Sequence, residues 1–201
     1  MKAPKPSAKH PAPPVRRAVD RIRESAQELF YREGIRAIGV DEIVNRAGVT
    51  KPSLYRSFAS KDELAAAYLQ DYDTMFWQRF DAAIPEHAGN PRAQLRSYLE
   101  GLAQRAGKNG YRGCGLTNAA VEYPEPNHPA RKVAEANKRA LRERLVAMAK
   151  AMGARDPQML GDGLLLLIEG TFASGQLFGK SGPARALVET ADRLIDACVA
   201  G

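Results

Sequence analysis

The stretch GVTKPSLYRSFASKDEL, running from Gly48 to Leu64, decides the fold. Thr50 stands just ahead of Lys51 and Pro52. A threonine there can accept a hydrogen bond from the free amides of a first helical turn, and a proline placed that early removes no helical bond. The pattern predicts a helix beginning near Lys51. Within it Leu54 and Phe58 lie four residues apart and face a core, which turns Pro52, Ser53, Tyr55 and Arg56 outward or sideways. Ser60 to Glu63, reading SKDE, has the form of a capping box and opens a further helix with Lys61 in its first turn.

Upstream, Ile43, Val44 and Ala47 recur at helical spacing, so one face of a short helix is apolar. Gly48 follows where a left-handed stop costs little, and Val49 plugs the turn. Two short helices meeting at a tight turn, the second with a polar and cationic outer face, have the layout of a helix-turn-helix. Arginine can fork onto guanine in the major groove, while Thr, Ser, Tyr and Lys more often hold phosphate oxygens. The DNA-contacting candidates are therefore Thr50, Lys51, Ser53, Tyr55, Arg56 and Lys61. Arg56 and Ser53 are assigned to base reading, and Thr50, Tyr55 and Lys61 to phosphates, one of which fits the positive end of the helix that Ser60 opens.

A support helix is expected from about Arg17 to Glu33, with Val19, Ile22, Ala26, Leu29 and Phe30 on one face and Gly34 as its stop. Together these residues resemble the TetR family of transcriptional regulators over about Val15 to Tyr72. The resemblance is carried by Phe30, Gly34, Ile43, Ala47, Gly48, Val49, Leu54, Tyr55, Phe58, Lys61, Glu63 and Leu64. One departure is Gly39, where the family often has Thr or Ser as a cap; glycine is tolerated there, but a hydroxyl able to touch phosphate is missing.

That resemblance implies an all-α fold of about nine helices. A three-helix helix-turn-helix DNA-binding domain would occupy residues 17–62, and a helical effector-binding and dimerisation domain residues 63–201. It further implies a homodimer on a near-palindromic double-stranded DNA operator, acting as a repressor released by a small-molecule effector.

Composition sets looser bounds. The chain has 201 residues, 44% of them hydrophobic, enough for a small head and a larger helical body. A net charge of +7 favours polyanions. Its distribution says more, because Lys2, Lys5, Lys9, Arg16 and Arg17 all precede the first acid, Asp20, among five prolines at positions 4, 6, 11, 13 and 14. Residues 1–16 therefore read as a disordered basic tail, either a solubilising leader or an arm that follows phosphates. The tail lacks the apolar run of a signal peptide, and no stretch is apolar and long enough to span a membrane. Cys114 and Cys198 are too few for a disulfide framework or zinc site, so a cytoplasmic location without metal or cofactor is expected.

Beyond Lys61 a long helix to about Ala83 carries Tyr68, Leu69, Tyr72, Met75, Phe76, Trp77 and Phe80. Further helices are expected over about Arg92 to Ala106, Asn118 to Glu122, Pro129 to Met152, Met159 to Phe178, and from Leu187 onward, separated by Gly- and Pro-rich breaks. The last two are apolar enough to bury one face inside and another against a second subunit. The residues nominated for that interface are Leu164, Leu167, Phe172, Leu187, Ala191, Leu194, Ile195 and Cys198. An intrachain core alone is the competing reading.

Aromatic and polar side chains suited to lining an effector pocket are Phe76, Trp77, Phe80, Tyr111, Asn118, Tyr123, Phe172 and Gln176. Periodicity does not separate them from ordinary core. Catalytic chemistry is poorly represented, since His10, His87 and His128 have no metal ligand at workable spacing, and Pro124 separates Glu122 from Glu125. Cys114 reads either as an oxidation sensor favoured by Arg112 and a helix N-terminus or as a small buried hydrophobe. Two other functions remain open: a ligand-binding or enzymatic helical protein with a vestigial helix-turn-helix, and a nucleoid-type binder with little sequence preference.

Overall fold

The computed structural model describes residues 17–82 and 84–199. Among them are nine α-helices, the first three being α1 (Ala18–Glu33), α2 (Val40–Ala47) and α3 (Lys51–Ser57). The basic arm expected at residues 1–16 lies outside the described residues.

Each short helix stops where its sequence makes stopping cheap. Gly48 takes up the left-handed conformation, φ 61°, and its amide donates to the carbonyls of Val44 and Asn45. A side chain at this φ would be strained, so the turn between α2 and α3 depends on a glycine. Thr50 then caps α3, its Oγ1 accepting from the Ser53 amide at 3.4 Å. Gly39 precedes α2 without a side-chain cap, as the missing hydroxyl requires.

The inner faces of α1 to α3 close around Ile22, Ala26, Phe30, Ile43, Val44 and Leu54, all buried, with Phe58 just beyond α3 also buried. Hydrophobic burial of this kind is worth about 1.5–3 kcal/mol for each large side chain. It holds α3 rigidly while leaving its outer face free.

The fourth helix, α4 (Lys61–Asp81), is common to both halves of the molecule. Its first turns pack on α1, and the remainder contacts α5 (Pro91–Ala106), α6 (Gly115–Glu122) and α7 (Pro129–Ala151). Two further helices, α8 (Pro157–Phe178) and α9 (Leu187–Val199), complete the body, with 3₁₀ turns at Gly179–Ser181 and Pro183–Ala186 between them. Asn90 and Asp156 cap α5 and α8 through their side chains, and prolines occupy the first turns of α5, α7 and α8. Helices α7 and α8 approach so closely that a Cβ on Gly161 would lie 2.6 Å from Val146 Cγ2.

Two expectations require correction. Helix α6 begins at Gly115, three residues before the expected Asn118. Gly115 serves close approach here, because a Cβ on it would lie 2.7 Å from the Tyr68 hydroxyl. More consequentially, Leu164, Phe172, Leu187, Ala191, Ile195 and Cys198, nominated for a subunit interface, are buried within the chain itself. Helix α8, which carries Leu164 and Phe172, packs on α5, α7 and α9, and α9, which carries the other four, packs on α5 and α8. Leu167 and Leu194 are half-buried. The apolar side chains that α8 leaves to solvent are Met159, Leu166, Leu177 and Phe178.

Leu54 is fully buried beneath the outer face of α3, so Leu54→Ala removes core without removing a surface group. A loss of about 2–5 kcal/mol is expected in the urea unfolding free energy. A loss below 0.5 kcal/mol would show that α3 is not seated as described.

Candidate nucleic-acid interface and interior cavity

The outer face of α3 is polar and accessible. Tyr55 is 50% exposed, and Arg56 and Ser57 are exposed beside it. Arg56 Nη2 donates to Ser53 Oγ at 2.7 Å, so the two base-reading candidates support one another on one helix face. A guanidinium held on a short helix loses less freedom when it forks onto a base edge. Thr50 is also exposed, though its hydroxyl already accepts the capping hydrogen bond.

The two lysines are engaged within the protein. Lys51 Nζ lies 2.7 Å from Asp41 Oδ1, and that hydrogen bond raises the ammonium pKa above its ordinary value. This contact ties α3 to α2. Lys61 Nζ donates to the Arg36 carbonyl at 3.3 Å, and partial burial lowers its pKa. Lys61 thus braces α4 against the loop before α2. At the same helix end Ser60 Oγ accepts from the Glu63 amide at 3.1 Å, while Glu63 Oε2 accepts from the Ala59 amide at 2.6 Å. The reciprocal cap is therefore displaced by one residue from the usual capping box.

Between head and body lies a cavity of about 690 Å³, within the usual range for small-molecule sites. One wall is α1, through Gln27 and Tyr31; α4 gives Tyr68, Tyr72 and Phe76; α5 gives Tyr98 and Leu102; α8 gives Phe172. The loop between α5 and α6 closes it with Lys108 and Tyr111. Burial lifts the phenols of Tyr68, Tyr72, Tyr98 and Tyr111 above the ordinary tyrosine range, so they remain neutral. Tyr31 bridges the two halves: its hydroxyl accepts from the Arg112 amide at 3.1 Å and donates to the Gly113 carbonyl at 3.2 Å. A second bridge joins Glu122 of α6 to the loop after α1. Its Oε2 accepts from the Arg36 amide at 2.8 Å, and Arg36 Nη1 donates to the Glu122 carbonyl at 2.8 Å.

Comparison with known proteins bears on the helix-turn-helix and on the fold as a whole. The family profile described as bacterial regulatory proteins, tetR family, matches residues 22–68, which span the helix-turn-helix and the start of α4. The crystal structure of SCO4454, a TetR-family transcriptional regulator from Streptomyces coelicolor, superposes with a TM-score of 0.80 at 30% identity. It covers 90% of this chain and 93% of that one. The chain belongs to the TetR family.

Other relatives share less. Transcriptional regulator AcuR of Cereibacter sphaeroides is 30% identical over 112 residues, 55% of this chain; the chain spans 51% of AcuR's length. The HTH-type transcriptional regulator YjdC of Escherichia coli is 26% identical over 175 residues, covering 85% of this chain and 87% of its own. As a TetR-family chain this is a helix-turn-helix transcriptional regulator, of a family that is not enzymatic.

Phe76, Tyr111 and Phe172 converge on the cavity. The other five pocket candidates do not line it. Trp77 and Phe80 lie behind its lining rings: Phe80 stacks on Phe76, its centroid is 4.6 Å from that of Tyr98, and Arg144 lies over both Trp77 and Phe80. Tyr123 stacks on His128 with centroids 3.8 Å apart, and burial raises its pKa to about 12. Asn118 and Gln176 line a separate, smaller cleft. Sequence reasoning passed over Tyr31, Tyr68, Tyr72 and Tyr98 as pocket residues. On α4 the signal was present, since residues 68, 72, 75, 76 and 79 share one helix face.

Cys114 is buried at the start of α6, with Lys138 Nζ 3.4 Å from its Sγ. Among the described residues no cluster of three or more His, Cys, Asp or Glu could hold a metal, and no helix is long and apolar enough to cross a membrane.

Because Tyr55 and Arg56 are exposed and outside the core, replacing both with alanine should leave the melting temperature within about 2 °C. Operator affinity, read by electrophoretic mobility shift, should fall at least about tenfold, as expected for losing one bidentate base contact and its neighbour. Full affinity in the double variant removes this face from DNA reading.

Proposed function

We propose that the chain is a ligand-responsive repressor that binds a near-palindromic operator as a homodimer in the cytoplasm and is released by a small-molecule effector. The observation that carries this reading is the α3 face, with Ser53, Tyr55 and Arg56 directed outward from a rigid core. Repression rests on family resemblance. Arg56 and Ser53 read bases, Thr50 and Tyr55 hold phosphate, and Lys51 and Lys61 contribute positive charge from positions braced by Asp41 and the Arg36 carbonyl.

The exposed stripe of α8 supports a dimer. Met159, Leu166, Gly170, Ala173 and Leu177 recur at spacings of seven, four, three and four residues on one exposed face. Leu166 is 73% exposed and Leu177 78%, a cost to solubility that burial against the same stripe of a second copy removes. A two-fold axis there sets two α3 helices apart, and successive major grooves on one side of DNA lie about 34–36 Å apart.

The cavity supports the effector. Its walls come from α1, which belongs to the DNA head, and from α5, α8 and the α5–α6 loop. An occupant therefore touches both halves and can change their relative angle directly, acting across the Tyr31 bridge as well as along α4. A ligand that binds one head spacing better than the other shifts DNA affinity by that difference alone.

Selection from a random duplex pool should enrich two inverted half-sites centred about 10 base pairs apart. Recovery without sequence enrichment would favour a nucleoid-type binder. Leu166→Glu with Leu177→Glu should yield a monomer in sedimentation equilibrium, with operator affinity down at least about a hundredfold through loss of the second head. A wild-type chain that sediments as a monomer at micromolar concentration would falsify the dimer.

A further inference from the structure

The wall of the central cavity has a charge and ring pattern that specifies more than a small molecule. Five tyrosines line it, at positions 31, 68, 72, 98 and 111, of the seven in the chain. Phe76 and Phe172 add two further ring faces. Tyr31 and Tyr72 stack with centroids 6.2 Å apart at an interplanar angle of 26°, so neighbouring ring faces are already near parallel. Such a surface accepts a flat aromatic body by offset stacking and edge contacts.

The charged groups that line the cavity are Arg32, Arg79, Arg105 and Lys108 against Glu24 and Glu28, an excess of positive charge, and Glu24 has a partner of its own. Arg79, Arg105 and Lys108 line it and make no ion pair with a carboxylate among the described residues. Arg105 is half-buried, with its guanidinium 5.9 Å from the Tyr98 ring centroid, while Arg79 and Lys108 are exposed at the rim. On the opposite wall Glu28 is already paired with Arg46 and Arg32, and the Arg46 hydrogen bond lowers its pKa. The cations are thus the uncommitted charges. The Tyr68 hydroxyl is buried without a hydrogen-bond partner and lies against Gly115, which lines the smaller cleft. An orphaned hydroxyl of this kind is costly until a ligand atom meets it.

Resting on the reading of this cavity as the effector site, we infer that the effector is a polycyclic aromatic acid. Its rings lie among Tyr31, Tyr72, Phe76 and Phe172, and its anion is held by Arg105, with Arg79 and Lys108 at the rim. The phenols, kept neutral by burial, do not repel the anion. Because the ring body touches Tyr31 on α1, the aromatic part of the ligand is also the part that moves the DNA head.

The test uses three probes with one ring system: 9-anthracenecarboxylate, 9-anthracenecarboxamide and 9-(aminomethyl)anthracene. Each is titrated into the full chain by calorimetry, and each is assayed for operator release by mobility shift. The carboxylate should bind at least about tenfold tighter than the amide, the amine should be weakest, and the carboxylate's advantage should shrink between 50 and 500 mM salt. In Arg79→Gln with Arg105→Gln the carboxylate should drop to the affinity of the amide, whereas Arg105→Lys should keep most of the preference. Thermal melts check that the variants are folded, and the salt series on the unmodified chain stands if they are not. Amide or amine binding that equals the carboxylate's and releases operator overturns the acid assignment and leaves the effector reading intact. Preferred carboxylate binding without any effect on operator overturns the effector reading and leaves the ligand class. No binding by any of the three overturns the ligand class outright.

Discussion

Phe30 meets Tyr68 edge to face at 5.6 Å, Tyr31 stacks on Tyr72, and Arg23 clasps Asp71 through two hydrogen bonds of 2.8 and 2.9 Å. This seam between α1 and α4 is the constraint on which the other features depend. It fixes the DNA head to the body, and three of its rings, those of Tyr31, Tyr68 and Tyr72, line the cavity. Aromatic pairs contribute about 0.5–1.5 kcal/mol beyond area burial, so the seam is firm without being irreversible. Two parts joined by a few such contacts can shift by small rotations without either part unfolding.

Around the seam the polar contacts are arranged as braces. Glu122 of α6 accepts the Arg36 amide and lies beside Gly34, whose φ of 95° strains any residue with a Cβ and where such a Cβ would sit 3.2 Å from Glu122 Oε1. Lys61 reaches the carbonyl of the same Arg36 from the start of α4. The loop after α1 is thereby held from two sides, by α4 and by α6. Lys51 stays on the surface and pairs with Asp41 of α2, so it ties α3 to α2 and takes no part in holding this loop.

The body has a polar interior of its own. Lys138 Nζ lies 2.8 Å from Glu169 and sits above the Phe172 ring, while Glu169 also accepts from Thr117 at 2.8 Å. These contacts link α6, α7 and α8. An ion pair at this depth adds little net stability, because desolvation offsets most of the Coulombic gain, but it discriminates strongly against a shifted register of α7 on α8. The close approach at Gly161 imposes the same register sterically.

Local chemistry was legible in the sequence alone. The Gly48 turn, the Thr50 and Ser60 caps and the Leu54 and Phe58 core face are set by residues within a few positions of each other, and so is the outward face that carries Tyr55 and Arg56. What pairs with what across the body was not legible. Helix α8 is apolar around most of its circumference, so its sequence does not say which stripe goes inward; packing on α5, α7 and α9 buried Leu164, Ile168 and Phe172 and left Leu166 and Leu177 to solvent. The cavity is likewise a product of convergence, since Tyr31, Tyr72, Tyr98 and Phe172 come from four helices and face one space only when all four are docked. The sequence by itself determined the recognition unit, because capping, turn and amphipathic spacing act over one or two helical turns. Only the tertiary structure decided which rings became pocket, which became core and which face of α8 remained open, because those outcomes depend on contacts between residues far apart in the chain.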